Sequence, residues 1–383
     1  MPKITKLKDQ FVYNHDSSFY CDIEIKNGII LKIIPKQKPK SKPKFYTLPG
    51  FVDSHSHGGY GFDFNSLSGN NWQSKISNYL KIVAKEGVTK VIGTTVSCPI
   101  NDLFTIARNF KEMHLVDKNK IIETWYIEGP FLSVEKKGAH EESLIAPIDL
   151  NVLNELTHIY PKKKLIAIAP EYKDNLKKIK TIDQQSYLMC LGHSNANAAI
   201  SEKAFKDGMH RLVHFYNAMS GFNHREPGVV NFAFNHKNIQ AELICDGIHV
   251  NPYVIENTFN ILSPDNIVLI SDSLSCKGLK NGFYKSGNLD IEKTNDICYI
   301  KGTKMIAGSV MPYDSQVKVF KKATKCSIND LVKITSYNVA KILNKQNEFG
   351  EIKKGAIANF TIVDQNLNIM KTISNGNLVY SKK

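Results

Sequence analysis

Arginine is nearly missing from this chain: Arg108, Arg211 and Arg225 are the only three among 50 basic residues. Where lysine fills almost every basic position, a retained arginine points to a need for a planar, two-pronged fork. The formal charge of +14 is spread as lysine along the whole length, as at 36–44, 162–164 and 177–180. No basic run has the interleaved aromatics or the recognisable fold of a nucleic-acid binder, so no nucleic-acid partner is expected. The charge reads as a solvated surface that mildly favours anionic substrates. The seven cysteines are an odd, dispersed set without a Cys-x-x-Cys pair, which argues against a disulfide framework and a thiolate zinc site. No apolar run is long enough to span a bilayer, and the N-terminus lacks the apolar core of a signal peptide. The expectation is therefore a cytoplasmic chain with no membrane partner. No short repeat is visible, which sets a solenoid aside.

What is present is a core. Hydrophobic residues make up 42% of 383 positions and aromatics 10%, enough for one large domain with a small companion. Both ends are β-rich. Residues 22–34 alternate around the turn Asn27-Gly28, a hairpin signal, and 359–364 followed by Ser374-Asn-Gly-Asn377 has the same texture. Between them, apolar strands alternate with helical segments. Candidate strands are 51–53, 88–94, 124–128, 165–169, 187–192, 212–214, 241–246 and 267–272, with helical spacing at 72–86, 198–207 and 251–262. Eight such units predict an α/β fold, a (β/α)8 TIM-like barrel over residues 53–346. Residues 1–52 and 347–383 together are expected to build a small β-sandwich domain.

The chemistry sits at the strand ends. In Pro49-Gly50-Phe51-Val52-Asp53-Ser54-His55-Ser56-His57-Gly58-Gly59, strand period two aims His55 and His57 to one side, and the paired glycines let the backbone turn away. An isolated His-x-His is more often a polar surface turn than a metal site. Here, however, Glu128, Glu171, His193, His214, Asp246 with His249, and Asp272 fall at successive strand ends, which a barrel brings to one mouth. Such a set of nitrogen and oxygen ligands suits a divalent ion, Zn, Fe, Mn or Co. A metal hydrolase is the expected class. Asp272, ending the last strand, suits a proton carrier, and His249 a donor to a developing oxyanion.

Longer motifs add a resemblance. Trp125-Tyr-Ile-Glu128-Gly-Pro-Phe-Leu132, Lys136-Lys-Gly-Ala-His140, Ala169-Pro-Glu171, Gly192-His-Ser-Asn-Ala196 and His214-Phe-Tyr-Asn-Ala-Met219 occur in order. Arg225-Glu-Pro-Gly228, Asp246-Gly-Ile-His249, Ser271-Asp272 and Ala307-Gly-Ser309 follow. Together they resemble the N-acetylglucosamine-6-phosphate deacetylases of the amidohydrolase superfamily. The resemblance implies Glu128, His193 and His214 as main metal ligands, with His55 and His57 making a second ion possible. It implies Asp272 as general base and then acid, and His249 as the group that polarises the acetamide carbonyl. Asn217, Ala218, Arg225 and His249, with Ala139, His140 and the backbone around Ile306, Ala307, Gly308 and Ser309, would hold the phosphosugar. The implied reaction is metal-dependent hydrolysis of N-acetyl-D-glucosamine 6-phosphate to glucosamine 6-phosphate and acetate. The expected assembly is a homodimer or higher homo-oligomer. The rival readings are an amidohydrolase acting on a cyclic amide or nucleobase, and a catalytically silent phosphosugar-binding protein. Ser273-Leu274-Ser275 and Met311-Pro312-Tyr313 depart from the segments the resemblance leads one to expect.

Overall fold

Eight short buried strands form the centre of the larger sheet system, and all of them fall where the apolar runs predict. The computed structural model describes residues 5–382. The strands are Phe51–Ser56, Val88–Thr95, Ile122–Glu128, Lys164–Ile168, Tyr187–Leu191, Arg211–Leu212, Gln240–Ile244 and Ile267–Ile270, parallel and hydrogen-bonded in chain order. They are called the first to eighth barrel strands below. Being buried on both faces, they read as continuous apolar runs rather than alternating ones.

Closure joins the first strand to the eighth. Asp272 N–H donates to the His55 carbonyl at 2.9 Å. The Asp53 carboxylate accepts from Ser271 N–H at 3.0 Å and from its hydroxyl at 2.5 Å. Tyr313 drives its hydroxyl between the same two strands, donating to the Val52 and Leu269 carbonyls at 3.2 and 3.1 Å. Tyr313 belongs to one of the two unexpected segments, and this is what it does. Inside the barrel Val52, Ile92, Tyr126, Leu165, Cys190, Val268 and Ile270 pack together, and Leu343 and Phe349 join them. A second apolar layer lies between the strands and the surrounding helices. The helix over 72–86 is Trp72–Val83 extended by a 3-10 turn, and Pro252–Leu262 begins at an Asn251 cap whose side chain accepts from Tyr253 N–H.

The two β-rich ends meet in one seven-stranded sheet that combines strands before residue 50 with strands after residue 359. Its hairpins carry the expected turns, with φ of 52° and 78° at Asn27-Gly28 and 51° and 78° at Asn375-Gly376. The expected sandwich arises as a single ladder that folds back on itself. Ala358 N–H donates to the Gly28 carbonyl at 2.7 Å, and Ile25, Ile30, Phe360 and Ile373 share one core. Residues 1–4 and 383 of the expected small domain lie outside the described residues.

One element went unanticipated. Between the eighth strand and the helix Tyr313–Thr324 lies an antiparallel three-stranded sheet of Gly282–Ser286, Leu289–Thr294 and Ile297–Ile300. It holds the rim of the cavity, since Ala307 N–H donates to the Cys298 carbonyl at 2.8 Å. Among the described residues no helix is long and apolar enough to cross a membrane.

Candidate active site

The strand ends open onto one cavity of about 360 Å³, with Glu128 at its floor. Strand period two turns Glu128 inward with Tyr126 while Ile127 faces the helices. The Oε1 atom of Glu128 lies 3.2 Å from His193 Nε2 and 3.0 Å from His214 Nε2, and those nitrogens are 3.0 Å apart. Its Oε2 lies 3.1 Å from His57 Nε2 and 3.5 Å from His55 Nε2. These two nitrogens are 3.3 Å apart and stand 3.1 and 3.5 Å from Asp272 Oδ1. One carboxylate thus joins two clusters, Glu128–His193–His214 and His55–His57–Asp272, all six residues buried.

The far nitrogens decide what the near ones offer. His193 Nδ1 donates to the Lys136 carbonyl at 2.8 Å and His214 Nδ1 to the Asn217 carbonyl at 3.1 Å. His55 Nδ1 donates to Glu242 Oε2 at 2.8 Å. Each of these imidazoles, when neutral, therefore turns a bare Nε2 lone pair toward a carboxylate. Lone pairs about 3.3 Å apart match ligands at roughly 2.0–2.1 Å from one ion. The donor set fits a divalent metal in both clusters. Burial alone would raise the Glu128 carboxyl, but His55 and the hydrogen-bonding imidazoles hold it well below the usual carboxylate range. Burial likewise disfavours charge on His57, yet its contacts with Asp272 and Glu128 raise it to about 9.

Three of these residues sit on a backbone that side chains rarely adopt. His193, His214 and Asp272 have φ of 45°, 26° and 48°, a left-handed conformation that costs about 1–3 kcal/mol per residue. Neighbouring chain over-determines it: the His193 carbonyl accepts from Ser133 N–H at 3.0 Å and the Asp272 carbonyl from Ser309 N–H at 2.8 Å. Gly308 makes the second approach feasible, because a Cβ there would stand 2.4 Å from the Asp272 oxygen. Gly308→Ala should cost about 1–3 kcal/mol of stability, read as a lower Tm. An unchanged Tm would show that the two segments separate freely.

Around this floor stand the remaining residues. Ala139, Asn217, Ala218, Ile306, Ala307 and Gly308 line the cavity. His249 lines it too, with Nδ1 on Asp246 Oδ2 and Nε2 on the Ala307 carbonyl, both at 2.7 Å. Burial opposes its charge, and Asp246 outweighs burial and raises its pKa. His140 Nδ1 accepts from Ser97 N–H at 3.2 Å, so its proton stands on Nε2, 3.7 Å from Glu128 Oε2. Burial, with His193 nearby, lowers its pKa to about 4 and keeps it neutral.

Two expected substrate contacts lie elsewhere. Ser309 is behind the cavity wall, bonded through its backbone to Asp272 and Leu274. Arg225 is on an exposed loop outside the cavity, its N–H on Asn223 Oδ1 at 2.8 Å. Glu171 also turns away, accepting from Ser194 Oγ at 2.7 Å and Asn195 N–H at 2.6 Å. The residue that sequence reasoning missed is Glu242, whose signal was a charge in the middle of a five-residue buried strand. Leu274, from the other unexpected segment, forms part of the wall.

Comparison with known proteins places the chain in a family. The profile of the Amidohydrolase family matches residues 46–379. The N-acetylglucosamine-6-phosphate deacetylase of Bacillus subtilis is 30% identical over 342 residues, 88% of this chain and 85% of its own length. The human protein of that name is 28% identical over 340 residues, 87% of this chain and 83% of its own. The crystal structure of the Thermotoga maritima N-acetylglucosamine-6-phosphate deacetylase superposes with a TM-score of 0.90 at 30% identity, covering 99% of this chain and 100% of its own. The chain belongs to the amidohydrolase family, among its N-acetylglucosamine-6-phosphate deacetylases.

Proposed function

We propose that this chain hydrolyses the acetamide of N-acetyl-D-glucosamine 6-phosphate, releasing acetate and glucosamine 6-phosphate, with Asp272 as proton carrier. The observation that carries the reading is Glu128 shared between two buried ligand clusters at a cavity floor that Asp272 also lines. The substrate follows from the names of the relatives. Glu128, His193 and His214 would hold one divalent ion, Zn, Fe, Mn or Co, and His55 and His57 would help hold a second. Such an ion, when bound, supplies Lewis acidity that polarises an amide carbonyl and acidifies water.

The chain's own groups do the rest. The Asp272 carboxylate takes the proton of the attacking water and returns it to the departing amine. His249 faces an acceptor at each ring nitrogen, the Asp246 carboxylate at Nδ1 and the Ala307 carbonyl at Nε2, so both nitrogens carry protons and the Nε2–H is donated to the Ala307 carbonyl. The acetamide oxygen takes it over as charge develops there. His140, neutral with its proton on Nε2 beside Glu128, is a donor for a sugar oxygen. Asn217, Ala218 and the 306–308 backbone wall the sugar in.

Arg225 would close on the phosphate from its loop, which follows the Asn217–Ala218 wall. A guanidinium engages phosphate through paired hydrogen bonds, whereas an ammonium is a point charge. Arg225→Lys should lower kcat/KM for the phosphorylated sugar by roughly 1.5–3 kcal/mol, about 10- to 150-fold. The slow reaction of N-acetylglucosamine should barely change. Equal losses on both would make Arg225 structural. Acetate release from the phosphorylated sugar, measured beside metal content, tests the assignment itself. No release by metal-loaded protein would refute it.

A further inference from the structure

The carboxylate of Glu242 and the guanidinium of Arg211 lie inside the barrel, both with side chains fully buried, and no step of the chemistry uses them. An isolated arginine–carboxylate pair would be expected to join fork to fork. This one does not. Arg211 gives Glu242 its Nε–H alone, to Oε1 at 2.7 Å, and spends an Nη2–H on the Ser54 hydroxyl at 2.5 Å. The other carboxylate oxygen is thereby left for different donors. Glu242 Oε2 accepts from His55 Nδ1 at 2.8 Å and from His214 N–H at 3.1 Å. Arg211 on the sixth strand and Glu242 on the seventh thus grip consecutive residues, Ser54 and His55, of the first strand across the barrel.

The support is uneven between the two clusters. His193 and His214 rest their Nδ1 atoms on backbone carbonyls. His57 Nδ1 is buried without a partner among the described residues. His55 therefore holds the one imidazole–carboxylate brace in its half of the site. Without it, neither the tautomer nor the ring orientation that points His55 Nε2 at Glu128 and Asp272 is secured.

We infer that Glu242, braced by Arg211, is a positioning residue that sets the affinity of the His55–His57–Asp272 half-site, and with it whether the chain holds one divalent ion or two. The inference rests on reading the two clusters as a metal centre. In Glu242→Gln, the amide cannot accept from His55 Nδ1 and from Arg211 Nε at once without turning its NH2 on one of them.

The test is titration of chelator-stripped protein with Mn²⁺, counting equivalents by calorimetry and elemental analysis, with Tm of the metal-free proteins recorded alongside. Wild type should take two equivalents per chain. Glu242→Gln should keep one near wild-type affinity and bind the other about 10- to 100-fold more weakly. Because that change leaves Arg211 buried and uncompensated, the paired change Arg211→Met with Glu242→Gln removes both charges and should show the same selective loss. Two equivalents at wild-type affinity in either variant would overturn the inference. So would parallel weakening of both ions in step with Tm, which marks a merely structural pair. One equivalent in wild type would remove the half-site and the inference while leaving the Glu128–His193–His214 centre. No binding by wild type would fail the metal-centre reading itself.

Discussion

Glu128→Gln should abolish metal retention and turnover together. The two oxygens of Glu128 face different clusters, with His193 and His214 at 3.2 and 3.0 Å from Oε1 and His57 at 3.1 Å from Oε2. Glutamine keeps the volume, so packing around the 2%-exposed side chain survives. It removes the negative charge and turns an NH2 donor toward imidazole lone pairs or toward a cation. A donor set of neutral imidazoles without its carboxylate no longer balances a divalent ion. Loss of a supporting contact costs roughly 10–100-fold in metal affinity, and loss of this shared ligand should exceed that. Elemental analysis after dialysis, with circular dichroism to establish folding, reads the outcome. A folded variant with full metal content would show that the ligands are elsewhere.

How much of this was legible before the structure depends on what each residue's signal rests on. The barrel was legible because strands buried on both faces must be apolar throughout, and Leu165, Ile166, Ile168 and Ile267 to Ile270 leave little else to read. The small sheet was legible at its turns, where Asn27-Gly28 and Asn375-Gly376 take the left-handed conformation asparagine and glycine tolerate. Convergence of His55, His57, Glu128, His193, His214 and Asp272 followed from topology, since parallel strands of one barrel end at one mouth.

Other features depended on contacts that no local pattern encodes. The inserted sheet over 282–300 had its own turn residues, Gly287 and Asn295 with φ of 52° and 54°, but eight strand–helix units already account for the barrel, and nothing in its count calls for a further sheet between the last strand and its helix. Glu242 carries the same residue type as any surface glutamate. Only its place mid-strand marked it, and its partners lie 31 residues away at Arg211 and 187 at His55. Arginine scarcity did single out Arg211, as one of three, without saying which carboxylate it would meet. Arg225 and Ser309 belong to motifs whose order was evident, yet motif order says nothing about which side chain faces the cavity. Ser309 spends its backbone on Asp272 and Leu274, and Arg225 lies on an exposed loop.

Asp272→Asn should separate chemistry from binding. The carboxylate lines the cavity with Oδ1 3.1 Å from His57 Nε2. Burial would raise its pKa, but the hydrogen bond from His57 and the charge of His55 hold it well below the usual carboxylate range. It is therefore ionised at neutral pH and begins the reaction as an acceptor of protons. Asparagine is nearly isosteric and still offers one carbonyl oxygen to His57, and the strand-end ties through Ser309 N–H and His55 carbonyl are backbone bonds that the substitution leaves alone. Fold, the Glu128–His193–His214 metal and substrate affinity should all persist. What disappears is a group that can take a proton and return it, a contribution of about 10²- to 10⁴-fold. The expected result is kcat lower by that factor, with the metal of the first cluster retained and KM within a few-fold of wild type, as in the case of an interaction made only in the transition state. Glu128→Gln fails by losing its metal, so the two variants have different signatures on one assay. Turnover near wild type in Asp272→Asn would dismiss Asp272 as proton carrier.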